Sequence, residues 1–130
     1  MIFTKILRIL ADECGGGIGA ALLGSDGIPI EQVQATELPA GVVSDAEALD
    51  EDLGAIGVEF GRVMDEARKA SDSVSGGHVE EMLVQTARYW ILLRSVDEDA
   101  FLALAMIPEG NVGKARFLMR RHLLALREQL

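Results

Sequence analysis

With 130 residues, 49% of them hydrophobic, the chain is sized for one globular domain, residues 1–130, with a proper core and no room for a second. A formal charge of −9 at pH 7 speaks against nucleic acid as a partner, since phosphate binding relies on a cationic surface. The longest unbroken apolar run, 100–107, is far short of the about 20 residues that span a bilayer, and Cys14 is the single cysteine; no integral membrane association, intrachain disulfide or cysteine metal cluster is expected, and the expected location is the cytoplasm.

Ile2, Phe3, Ile6, Leu7 and Leu10 predict a short amphipathic helix of about 12 residues, ended by Cys14 and the glycines that follow it. Gly15, Gly16 and Gly17 run from helix to strand, the reverse of the strand-to-helix order of a phosphate loop, so they read as a cap and turn. Ile18 to Gly24 predicts a small-residue strand, Ser25-Asp26-Gly27 a tight turn, and Ile28 to Val33 the second strand of a hairpin. Pro29 suits an edge, because it cannot donate to a ladder. Residues 34–43, with Pro39 and Gly41, read as a loop.

The chain is organised around a long helix expected over Asp45 to Ala70. Ser44 with Glu47 spells a capping box at its start. Leu49, Leu53, Ile56, Phe60, Val63, Met64 and Ala67 recur at spacings of three and four, which stacks them on one stripe facing a core. Gly54, Gly57 and Gly61 fall on one flank of that stripe, where each costs roughly 0.5–1 kcal/mol relative to alanine, so another backbone should come close. That backbone belongs either to the protein's own sheet or to a second helix crossing there. Val58 lies opposite the stripe among Glu51, Arg62, Asp65 and Lys69 and is expected to be exposed.

After a polar break at 71–77, three strands are expected: Val79 to Thr86, Tyr89 to Ser95 and Ala100 to Ile107. The last two are apolar enough to be covered on both faces. The first is more polar, which suggests an edge from Glu80 to Thr86 that is open to pairing with another chain. Asn111 is placed to cap a last helix running to Leu130, with Val112, Ala115, Leu118, Met119, Leu123 and Leu126 inward. Residues 114–130 hold five Lys or Arg against one Glu, a net +4 that leaves −13 for residues 1–113. Such a basic helix serves either as a solvated face that suits the dipole or as a dock for an acidic lipid or protein surface. The order α-β-β-α-β-β-β-α is that of an α+β layer fold, with helices on both faces of one five-stranded antiparallel sheet.

Signatures of chemistry are missing. Gly113-Lys114 has Pro108 and Ala115 where a phosphate loop needs glycine and a hydroxyl, so neither nucleotide binding nor hydrolysis is expected. His78 and His122 stand alone, without the spacing of zinc or iron ligands, and Gly24-Ser25-Asp26 is a turn and not a nucleophile elbow. No catalytic residue, metal or cofactor is expected.

Gly19-Ala20-Ala21-Leu22-Leu23-Gly24 leading to Asp26-Gly27-Ile28-Pro29-Ile30, the long central helix, and Asn111-Val112-Gly113-Lys114-Ala115-Arg116 together resemble the Roadblock (dynein light chain) domain family. The likeness extends over nearly the whole chain and is greatest to the bacterial branch that partners Ras-like GTPases in gliding motility and polarity. It implies the central helix on one sheet face and the first and last helices on the other. It further implies a homodimer, with central helices side by side and third strands paired. Those contacts coincide with Gly54, Gly57 and Gly61, beside Met64, and with the strand edge at Glu80, Met82 and Val84, which favours the second-helix reading of the glycine flank. The tail that some bacterial members carry has no counterpart after Leu130, so regulation through one is not expected. The function implied is a non-enzymatic regulator that binds a Ras-like small GTPase and changes its hydrolysis or localisation, with Val58, Arg62, Asp65 and Lys69 as candidate contacts. The alternatives are a scaffold subunit without effect on the GTPase rate and a small-ligand sensor, which would need a roomy polar cavity.

Overall fold

The computed structural model describes residues 2–42 and 46–130, the side chains of 46 and 47 excepted. The elements follow the expected order: α1 (Ile2–Glu13), β1 (Gly17–Gly24), β2 (Pro29–Gln34), α2 (Ala46–Ser73), β3 (Glu81–Gln85), β4 (Trp90–Ser95), β5 (Ala100–Met106) and α3 (Val112–Gln129). All strand pairs are antiparallel, in the order β2-β1-β5-β4-β3. The two strands expected at edges, the Pro29 strand and the more polar third one, are the edges. The continuous apolar run forms β5, the middle strand, buried along its whole length.

Alternation along β5 divides the core between the two faces. Leu102, Leu104 and Met106 pack with Leu7 and Leu10 of α1 and with Met119 and Leu126 of α3. Phe101 and Ala103 pack with Met64 of α2, and Ala105 with Leu49 and Leu53 of the same helix. One long helix therefore covers one face, and the first and last helices share the other. Asn111 caps α3 by accepting a hydrogen bond from the Lys114 amide at 3.0 Å. Arg116 Nε, at 2.8 Å from Glu81 Oε2, ties α3 to β3.

Boundaries differ from expectation by at most three residues, and those at Gly24, Ser95 and Ala100 coincide with it. The capping box at Ser44 lies outside the described residues. At the other end α2 continues through Ser73, past the expected Ala70, because its serines serve the last turn instead of breaking it. Ser73 Oγ donates to the Ala70 carbonyl at 2.8 Å, and the Gly76 amide donates to the Ser71 carbonyl at 2.8 Å. The β1–β2 turn closes with the Gly27 amide donating to the Gly24 carbonyl and the Ile28 amide to Asp26 Oδ1, with Gly27 at φ 82°.

Candidate functional site

The face of α2 that meets the sheet is its apolar stripe turned toward the glycine flank. Leu49, Leu53 and Met64 are buried, yet so are Gly57 and Gly61, while Ile56 and Phe60 are half-buried and Val63 is 42% exposed. At about 100° per residue, the centre of burial is rotated roughly 50° from the centre of the stripe toward the glycine flank. The reason is close approach. A Cβ on Gly57 would lie 2.5 Å from Leu23 Cδ2, and one on Gly61 would lie 3.2 Å from both the Gly27 Cα and the Phe101 ring. The β1–β2 turn is therefore pressed onto the backbone of α2, with no side chain between.

This corrects the expectation that the glycine flank faces a second helix. Gly57 and Gly61 are used inside the chain, against its own hairpin and sheet. Met64, 0% exposed, belongs to the same interior and backs any outer surface from within. Gly54 is different: half-buried, its added Cβ would meet only Gln32 Oε1, at 3.9 Å. Val58, expected to be exposed, is half-buried, because its backbone sits under the turn; a Cβ on Gly27 would come 3.1 Å from its Cα.

The rotation turns the other edge of the stripe outward. Ile56 and Phe60 form the rim of the core cluster that also includes Leu93 and Phe101, and Met82, Val84 and Tyr89 form the rim of that same cluster from the β3 side. All are only partly covered, and Val63 extends the apolar edge along the helix. Beside them runs β3, paired on one side only. The Ser95 amide donates to the Glu80 carbonyl and the Thr86 amide to the Tyr89 carbonyl, so even-numbered residues face β4. The alternation then directs the backbone groups of Glu81, Leu83 and Gln85 outward. Glu80 itself is exposed and immediately precedes β3.

The remaining candidates form a charged face. Arg62 pairs with Glu59 at 3.6 Å, and Lys69 with Asp65 at 3.4 Å and Glu66 at 3.5 Å, all solvent-exposed. The Asp65 hydrogen bond, with Glu66 nearby, raises the Lys69 pKa, keeping it charged. Such pairs contribute little to stability and leave these side chains available to a partner. The cysteine offers no chemistry: Cys14 is fully buried, and burial pushes its thiol up to about 11. Among the described residues no group of three or more His, Cys, Asp or Glu is arranged to hold a metal ion, and no helix is long and apolar enough to cross a membrane.

No family model matches the sequence, and no curated protein matches it. Among solved structures the chain is similar to MglC from Myxococcus xanthus, at 25% identity and TM-score 0.71 over 100% of both chains. It is also similar to a Roadblock/LC7 domain from Streptomyces avermitilis, at 15% identity and TM-score 0.77 over 96% of this chain and 94% of that one. The chain has the Roadblock/LC7 fold. A third structure of this fold, an MglB in a tetrameric arrangement, is 16% identical with TM-score 0.77, over 96% of this chain and 85% of that one.

Within this Roadblock fold, sequence reasoning placed Met82 and Val84 on the open strand and Arg62, Asp65 and Lys69 on an exposed face. It missed how far the outer edge of the stripe, Ile56, Phe60 and Val63, stays uncovered, although Ile56 and Phe60 do pack against the core as expected. The signal that could have found them is the width of the pattern. The apolar residues and the three glycines together span more of the helix circumference than one sheet face covers.

Proposed function

We propose that the protein is a non-enzymatic homodimeric regulator that binds a Ras-like small GTPase and modulates its GTP hydrolysis or localisation. The observation that carries the dimer is the half-covered apolar edge of Ile56, Phe60, Val63, Met82 and Val84 lying beside the open edge of β3. A two-fold axis beside it sets α2 against α2 and β3 against β3, covering both features with one self-complementary contact. The likeness to MglC along the full length of both chains, and the tetrameric arrangement of the similar MglB, support an assembling protein of this kind. The GTPase partner follows from the family resemblance in the sequence. In a dimer the exposed Arg62, Asp65 and Lys69 are presented twice on one surface, beside the half-buried Val58.

Sedimentation at micromolar concentration, followed by binding and single-turnover hydrolysis with a Ras-like GTPase from the same organism, tests this reading. A dimer that binds the GTP-loaded form and changes its rate is expected. Arg62→Ala should weaken affinity and leave hydrolysis at saturation intact, the GTPase supplying its own catalytic groups; normal binding with all stimulation lost would instead make Arg62 an arginine finger. Binding without any rate change would make the protein a scaffold, and a stable monomer would remove the dimer.

A further inference from the structure

A second site lies away from the apolar edge, where the end of α2, the entry to β3, the β4–β5 turn and the last turns of α3 converge on a cleft of about 500 Å³. That volume lies within the range of small-molecule sites. Arg68 and Arg94 line it as half-buried residues, and Arg127 joins them from α3. Arg68 Nη2 donates to Ser95 Oγ at 3.2 Å, and Arg127 Nε donates to the Val96 carbonyl, which fixes both side chains at the cleft. Arg94 Nε is buried and has no hydrogen-bond partner. Among the described residues, none of the three arginines makes an ion pair with a carboxylate.

Buried guanidinium nitrogens are nearly always satisfied, and charged donors form the strongest hydrogen bonds with carboxylate or phosphate oxygens. The same cleft is also lined by Asp72, Glu80, Asp97 and Glu98, all on exposed residues. The half-buried part of the lining is thus cationic through Arg68 and Arg94, and the exposed part is mainly anionic, with Arg127 as its one arginine. A polyphosphate or a polycarboxylate would pair with the arginines and be repelled by the carboxylates. A ligand with an oxyanion at one end and an ammonium group at the other meets both.

We propose that this cleft binds a small zwitterion, its carboxylate or phosphate on Arg68, Arg94 and Arg127 and its amine toward the acidic rim. The site does not depend on the GTPase reading, and it makes the molecule a regulator that can itself sense a metabolite of the amino-acid class.

Calorimetric titration of the intact protein with 6-aminohexanoate, L-lysine and O-phosphoethanolamine, against hexanoate, hexylamine and pyrophosphate as single-sign controls, tests the proposal. At least one zwitterion should bind about tenfold tighter than every control, and comparing the carboxylate with the phosphate probes identifies the preferred oxyanion. Arg94→Met, which keeps an unbranched apolar stem, should weaken that binding about tenfold or more. Arg68→Gln is a second variant, should Arg94→Met fold poorly. Glu98→Gln, at an exposed turn position, should weaken the zwitterion and leave hexanoate unchanged. Equal binding of hexanoate or pyrophosphate, binding unchanged in the folded arginine variants, or no saturable heat at millimolar probe would each overturn the proposal.

Discussion

Replacing the three α2 glycines one at a time by alanine separates the inward reading of that flank from the outward one. Alanine is favoured over glycine in a helix interior by roughly 0.5–1 kcal/mol. At Gly54 the nearest atom to the new methyl is 3.9 Å away, so Gly54→Ala should realise that gain. At Gly57 the methyl would sit 2.5 Å from Leu23 Cδ2, and Leu23 is itself 0% exposed, so its end must shift within the core. Overpacking of this kind costs about 1–3 kcal/mol, which outweighs the helix gain. Gly57→Ala should therefore lie about 1–3 kcal/mol below Gly54→Ala in stability. For a chain of this size that separates the two midpoints by about 3–15 °C. Gly61→Ala should fall between them or near Gly57→Ala, since its contacts at 3.2 Å include the Gly27 backbone, which cannot rotate away. Urea and thermal unfolding at one fixed protein concentration measure the differences, the fixed concentration being needed wherever a protein self-associates. If Gly57→Ala stabilises as much as Gly54→Ala, the packing of the hairpin onto α2 does not restrict that site. If it leaves unfolding unchanged but weakens self-association, the glycine faces a partner helix after all.

Val63→Glu should weaken self-association about tenfold or more while changing monomer stability by no more than about 0.5 kcal/mol, because Val63 is 42% exposed; sedimentation and unfolding together check it. Asn111→Ala removes the acceptor at 3.0 Å from the Lys114 amide and should cost about 1 kcal/mol in urea unfolding. Cys14 should resist alkylation near pH 8 until the chain is unfolded. Burial raises its thiol from 9.0 to about 11, so the unfolded thiol ionises first and this group's contribution to stability falls as pH rises between those values. A Cys14→Ala variant should show a shallower alkaline decline in unfolding midpoint, and an unchanged slope would refute the assignment.

The order and type of every element were determined by local sequence. Periodicity marked α1, α2 and α3, Pro29 and the polar third strand marked the two sheet edges, and the unbroken run at 100–107 marked the central strand. Those signals are local because turn chemistry, capping and alternation act between residues a few positions apart. The rotation of α2 was decided only by the tertiary structure. Whether Gly57 and Gly61 face Leu23, Gly27 and Phe101 or a second helix depends on how closely a hairpin more than 30 residues earlier approaches, and no local pattern encodes that distance. The same holds for the arginine cleft. Arg68, Arg94 and Arg127 lie on three separate elements, and they line one cleft only because α2 and α3 end at the same corner of the sheet. A stripe in the sequence records that a helix surface is apolar; packing decides which part of it the chain covers itself and which part it leaves exposed.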